Sequence, residues 1–279
     1  MSGRWRGVRR HVRESGSGIT ELAALELYLA RNLFSWMRAD YRTEGGGKVT
    51  AFQDKVLLPS QGGLAGNARS IDPNHAFAQT TGANQVAAIA TSSTWGGKEV
   101  ASFAGGQMYD STLAAANWAF ENSGLGGSAV FIHRLLSTAA AQILASSTNS
   151  TSSNGAIWYA VNAPTQQLFQ VFRNGGGIVF NRAFGATTLL PTYLITTFRT
   201  ATTPDFSAYA KAALVDSGDA GNTPDTGSPL FTMRIGAQTG SGVSGFAGEL
   251  ADAMFLNAEM TSLQRANVAR YALLRYLMS

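Results

Sequence analysis

Two carboxylates near the C-terminus, in Glu249-Leu250-Ala251-Asp252, are the nearest this chain comes to an acid–base pair. Glycoside hydrolysis needs two carboxyl groups flanking the scissile bond, about 5–5.5 Å apart for retention or about 6.5–9.5 Å for inversion. Acids at alternate positions of one strand meet that need, because strand side chains repeat every two residues. A spacing of three puts the two acids on opposite faces, so both read as solvent-facing or turn-bonding groups. No E-x-D-x-x-E run occurs. His11, His75 and His133 sit in separate segments without HxH or HExxH spacing, and His133 reads as a half-buried strand residue. There is no G-x-S-x-G elbow, P-loop or dinucleotide fingerprint.

Binding chemistry is better represented. Aromatic faces with planar polar groups suit sugars. Trp95 follows Thr91-Ser92-Ser93-Thr94 and precedes Gly96-Gly97, which makes it the best loop-borne ring. Trp118 comes next, with Tyr109, Trp158, Tyr159 and Tyr193 as further candidates and Trp36 read as core. Asp216, Asp219, Asn222 and Asp225 could offer oxygens to Ca2+, a hard ion taking about 6–8 of them. Their spacing is not that of an EF-hand, and an ordinary acidic loop is the plainer reading; no cofactor is expected otherwise. A basic arm, residues 1–18, carries Arg4, Trp5, Arg6, Arg9, Arg10 and Arg13. Arginine pairs with phosphates and carboxylates and stacks on rings. The arm reads as an anchor on an acidic neighbour in an assembly rather than as a nucleic-acid contact.

The elements that carry these residues are mostly strands. Thr20 caps a helix to about Arg31, with Leu22, Leu25 and Leu29 as its apolar stripe. Short strands follow at 49–53, 98–103, 128–135, 156–162, 167–173, 177–182, 190–199 and 209–215. The pair 167–173 and 177–182, joined through Asn174-Gly175-Gly176, is the clearest hairpin. A capping box, Thr261 with Gln264, opens a terminal helix at 261–278, whose stripe is Leu263, Ala266, Leu273, Leu274 and Leu277. That helix is expected to pack on an edge of the strand body.

Two segments carry a family resemblance. Met233-Arg234-Ile235-Gly236-Ala237, a Gly/Ser turn, Gly248 to Asn257 and the final helix are similar to the closing segment of laminin G-like, concanavalin A-like lectin/glucanase domains. Trp36-Met37-Arg38-Ala39-Asp40, Gly45 to Gly47 and Val49 to Lys55 resemble the opening of that family. Glu99 to Gly106 resembles a later strand, with Ala104 where an acid is usual; Asp252 stands where Glu is usual. The matches bracket residues 33–279 in order, while the centre, about 110–230, agrees only in pattern. The resemblance implies an all-β, jelly-roll β-sandwich, here with a basic N-terminal arm, an N-terminal helix (19–32) and a C-terminal helix. It also implies a scaffold that binds protein or sugar before it catalyses.

Composition narrows the setting. There is no cysteine, so disulfides and thiol chemistry are excluded. The arm's five arginines against one acid give +4, which equals the whole chain's 21 basic against 17 acidic groups; residues 19–279 therefore sum to zero. The basic start lacks the apolar run of an export signal, and no stretch approaches a membrane span. A lectin-like sandwich without an export signal fits a structural protein of a phage or other virus. The expectation is a non-enzymatic virion protein, a capsid decoration or fibre, homo-oligomeric within its assembly and held by residues 1–18. Its sandwich would touch other virion proteins and host or environmental glycans. A secreted or cell-surface carbohydrate-binding module and a glycan-cleaving enzyme are the alternatives.

Overall fold

A computed structural model describes residues 20–278, apart from 88, 90, 123–125, 150–152, 163–165, 174–176, 200–204, 212, 220–226 and 239–243. Helix α1 (Glu21–Asn32) leads into β1 (Ser35–Gly45), β2 (Lys48–Asp54), the single turn α2 (Ala68–Ile71) and β3 (Ala76–Ala78). Short strands β4 (Thr91–Ser92), β5 (Lys98–Glu99), β6 (Ala101–Ala104) and β7 (Tyr109–Ser111) come next. The longer β8 (Gly127–Leu135), β9 (Gln142–Ser146), β10 (Gly155–Asn162), β11 (Gln166–Arg173), β12 (Gly177–Ala186) and β13 (Thr192–Arg199) form the centre. The chain closes with β14 (Asp205–Ala210), β15 (Ala213–Asp219), β16 (Arg234–Ile235), β17 (Ala247–Leu256) and α3 (Ser262–Tyr276).

The strands form an antiparallel jelly-roll sandwich. One ladder runs β12-β11-β10-β9-β16-β7-β3-β2-β1-β17-β8-β13-β14-β15, with β6 also on β17. The register of β1 against β2 shifts between Met37 and Arg42. The ladder folds over so that β10 and β11 face β8, β13, β14 and β17. Aromatic side chains fill the space between: Phe169 lies 5.4 Å from Phe206 and 5.0 Å from Phe198, and Trp158 lies 6.1 Å from Phe255. The first pair is stacked, the second tilted and the third edge-to-face, and aromatic pairs at such distances add about 0.5–1.5 kcal/mol each to their burial. At the open seam, Arg182 of β12 makes a bidentate pair with Asp216 of β15 (3.0 and 3.1 Å).

A second apolar layer lies on the opposite face of β1, β17, β8 and β13. There α1 and α3 cover Trp36, Val130, Ile132, Tyr193, Ile195 and Met254. Consequently β17 and β8 are buried on both faces and read as nearly continuous apolar runs. Glu21 pairs with Arg270 and Glu26 with Arg275, so α1 and α3 run side by side in the same direction.

Several sequence expectations hold. Thr20 caps α1 by accepting from the Ala23 amide (3.2 Å), and the Thr261/Gln264 capping box forms (3.2 and 2.8 Å). The hairpin β11–β12 pairs from Gln166–Ala186 to Arg173–Gly177; its turn lies outside the described residues. Others change. Residues 209–215 are not one strand: the chain turns at Lys211, whose φ is +47°, and β14 pairs with β15 across it. The terminal helix packs flat on the sheet face rather than on an edge. Its buried stripe is Val268, Tyr271, Ala272, Arg275 and Tyr276, while Leu263, Leu273 and Leu277 are exposed. The tyrosines win the interior because their hydroxyls meet a buried carboxylate. Among the described residues no helix is long and apolar enough to cross a membrane. The anchoring arm with Arg4, Trp5, Arg6, Arg9, Arg10 and Arg13 lies outside the described residues.

Candidate functional site

The three rings expected to face sugar are buried. Trp118, on a 3-10 turn at Ala115–Glu121, packs edge-on against Phe34 and Phe255, each at 5.2 Å. Tyr109 accepts from the Val86 amide (2.8 Å) and donates to the Val49 carbonyl (2.9 Å). Its burial pushes the phenol up to about 12, partly offset by the amide bond it accepts. Trp95 is 0 % exposed and meets Tyr276 edge-on at 5.5 Å. Gly96 and Gly97 take left-handed backbone (φ +62° and +76°), and the turn they make folds the indole inward. None of the three offers a face to a ligand. Trp158 and Trp36 are also core, and Tyr193 is buried.

Trp95 nevertheless serves a surface feature. Its indole N–H donates to Glu249 Oε2 at 2.8 Å. Arg134 Nη1 approaches the same oxygen at 3.3 Å. Glu249 Oε1 accepts no hydrogen bond from the described residues. In front of Glu249 opens a cleft of about 430 Å³, lined by Ala87, Ile89, Val100 and the hydroxyl residues Thr91, Ser92, Ser93 and Ser102. The volume falls within the range of about 300–1,000 Å³ typical of small-molecule sites. Val100 closes its floor against the helix-side core. Strands β4 and β5 supply the rim by pairing Thr91 with Glu99 and Ser92 with Lys98. The arrangement is a half-open polar cleft with one oriented carboxylate and hydroxyl groups that both donate and accept.

Asp252 behaves differently from its expected solvent exposure. Between Leu250 and Asp252 the register against β8 slips by one residue, a β-bulge. The bulge cancels the alternation, so Asp252 faces the helix layer as Glu249 does, not the opposite side. It is 0 % exposed and accepts from Trp36 Nε1 (2.7 Å), Tyr276 Oη (2.6 Å) and Tyr271 Oη (3.2 Å). Burial raises its pKa, opposed by the nearby Arg38 and Arg275 and by these hydrogen bonds. Arg38 and Arg275 in turn pair with Glu26 and Asp40. This network clamps α1 and α3 to the sheet and presents no surface to a substrate.

A constellation the sequence did not reveal lies deeper. Ser111 Oγ is 2.9 Å from His75 Nε2, and His75 Nδ1 is 2.5 Å from Asp54 Oδ2. Asp54 Oδ1 also accepts the Trp36 and Val56 amides (3.1 and 3.0 Å). The order matches a nucleophile–base–orienter relay. Yet the His75 and Asp54 side chains are fully buried, and Phe77 and Trp118 pack on the imidazole. Ser111 Oγ also accepts the Leu113 amide (3.1 Å), and the relay ties β2, β3 and β7 together. Its members are 21 and 36 residues apart, and no local motif announces them.

A second cleft, of about 310 Å³, lies beside α3 and includes Asp205, Glu259, Tyr209 and Arg265. Arg265 stacks over Tyr209 at 4.4 Å, and Arg199 joins both carboxylates, reaching Glu259 at 3.5 Å. The proposed Ca2+ ligands do not gather among the described residues. Asp216 is engaged by Arg182, Asp219 lies in β15 opposite Asp205, and Asp225 is outside the described residues. No group of three metal-binding side chains occurs among the described residues.

Neither a protein-family model nor a curated protein matches the chain. Among solved structures, it is similar to the CBM40 of the Ruminococcus gnavus IT-sialidase bound to α2,3-sialyllactose. That likeness has 16% identity and a TM-score of 0.47, covering 62% of this chain and 97% of that one. Domain 4 of the arabinanase AbnA from Geobacillus stearothermophilus, in complex with arabinotriose, gives 11% identity, TM-score 0.47 and coverages of 65% and 80%. A pentraxin from Limulus polyphemus gives 12%, TM-score 0.38 and coverages of 53% and 71%. What the cleft can hold follows from its own side chains.

Proposed function

We propose that this chain is a non-enzymatic glycan-binding module whose binding site is the cleft in front of Glu249. The observation that carries the reading is a carboxylate fixed through one oxygen by Trp95 and Arg134, with hydroxyls and a small apolar wall around it. Sugar hydroxyls donate and accept at once, and such a lining answers both roles. Cleavage is not part of the reading. Among the described residues lining this cleft Glu249 is the one carboxylate, and hydrolysis needs two. In the second cleft both carboxylates are held by Arg199. The test is an array of immobilised oligosaccharides probed with the wild type and Glu249→Ala. Retention on at least one glycan class, lost in the variant, is expected. No retention at millimolar sugar, or retention indifferent to the substitution, would remove the site.

A second reading concerns where the module is displayed. Its whole net charge resides in residues 1–18, ahead of a domain that is neutral. That asymmetry supports a basic anchor on an acidic neighbour, and we propose a virion surface as the setting, with copies arrayed through their arms. Co-sedimentation of the full chain with emptied phage capsids, compared with a chain lacking residues 1–18, tests it. Arm-independent sedimentation, or none, would leave a free carbohydrate-binding module.

A further inference from the structure

Resting on the glycan-binding reading of the same cleft, the geometry points to a specificity: the site selects neutral sugars and rejects those carrying a carboxylate or sulfate. Two features decide it. The charge facing the cleft is negative, because Glu249 lines it and its Oε1 is unpartnered among the described residues. An acidic sugar would bring like charge against that oxygen in a partly desolvated site, where effective dielectric is well below that of water. The cation bonded to Glu249 is already engaged. Arg134 donates Nε to the Leu189 carbonyl (3.1 Å) and approaches Thr94 Oγ1 (3.4 Å) and Glu249 Oε2 (3.3 Å) through Nη1. Turning it to an incoming anion would leave Glu249 with the Trp95 bond and without its paired cation.

The same geometry favours a neutral ring. Glu249 Oε1 has two lone pairs and can accept from two adjacent sugar hydroxyls. Thr91, Ser92, Ser93 and Ser102 then serve the remaining hydroxyls, and Ala87, Ile89 and Val100 face the ring's apolar C–H surface. With no exposed aromatic in the lining, affinity comes from hydrogen bonds, and discrimination comes from leaving or not leaving a buried polar group unpaired.

The test is calorimetry with neutral and acidic counterparts: galactobiose against digalacturonate, which carries two carboxylates, and lactose against 3′-sialyllactose, which carries one on its added residue. A neutral member is expected to bind at least about tenfold more tightly than its acidic partner at low salt, a gap set by like-charge repulsion. Glu249→Gln, which keeps shape and removes charge, should narrow that gap by strengthening the acidic member. Ser102→Ala, at an exposed position, should weaken both members of a pair alike. An acidic sugar binding as tightly as its neutral partner would overturn the specificity while leaving glycan binding in place. If no member of any pair binds, the glycan reading itself falls, and this inference with it.

Discussion

Glu121 is the most exacting test of the interior. It ends the 3-10 turn at Ala115–Glu121, is 0 % exposed and accepts one bond, from Ser147 Oγ. Its Oε1 has no hydrogen-bond partner. Ser147 Oγ is itself fixed by the Ala156 amide at 2.9 Å. Burial pushes the carboxyl up from 4.5 to about 8, only partly countered by Ser147. The folded state therefore holds a proton that the unfolded chain releases above pH 4.5. Stability from this group is complete below pH 4.5 and is lost as pH rises through 8. The gap between 4.5 and about 8, at about 1.4 kcal/mol per pH unit, corresponds to a loss of order 5 kcal/mol. Glu121→Gln removes the titration while keeping the shape. Its amide adds a fixed cost for an unpaired N–H, about 1–3 kcal/mol, which is independent of pH. Urea unfolding of both proteins from pH 4 to 9 separates the two effects. The wild type should be the more stable at pH 4 and lose its advantage steadily above pH 5. A stability difference that varies by less than about 1 kcal/mol across that range would refute a buried neutral carboxyl.

His133 gives the opposite limb. Burial pulls its ring down from 6.5 to about 4, against one bond with the Phe131 carbonyl, so its contribution is present above pH 6.5 and lost as pH falls through 4. His133→Gln should flatten acid unfolding between those values, and an unchanged acid limb would contradict the burial. Asp252→Ala leaves the buried Trp36, Tyr271 and Tyr276 donors without their acceptor, while Arg38 and Arg275 keep Glu26 and Asp40; at about 1–3 kcal/mol per unpaired buried group, a loss of about 3–5 kcal/mol is expected in thermal or denaturant unfolding. A change below about 1 kcal/mol would mean that the buried carboxylate contributes little to holding α1 and α3 on the sheet. Ser111→Ala should cost about 1–2 kcal/mol and leave ester hydrolysis at background; activity that disappears with Ser111 would show the buried relay to be catalytic.

The sequence by itself determined the local grammar. Alternation and Gly/Asn turns placed most strands, and Thr20, Thr261 and Gln264 set the helix starts, because caps and turns are short-range chemistry. It also placed the all-β sandwich. The tertiary structure decided which face each side chain took. Trp95 looked exposed because its neighbours are small and polar. Its burial depends on Tyr276 and on Glu249, 154 residues away. A one-residue bulge on β17, invisible in Glu249-Leu250-Ala251-Asp252, turned Asp252 inward. In α3 a leucine stripe competed with a tyrosine stripe. The tyrosines prevailed because an apolar face can go anywhere, whereas a buried carboxylate must find donors, and those donors come from elements distant in sequence. The Asp54–His75–Ser111 relay exists only once β2, β3 and β7 lie side by side. Sequence spacing carries torsional and capping preferences; the pairing of polar groups in a dry interior is settled only when the sheet closes.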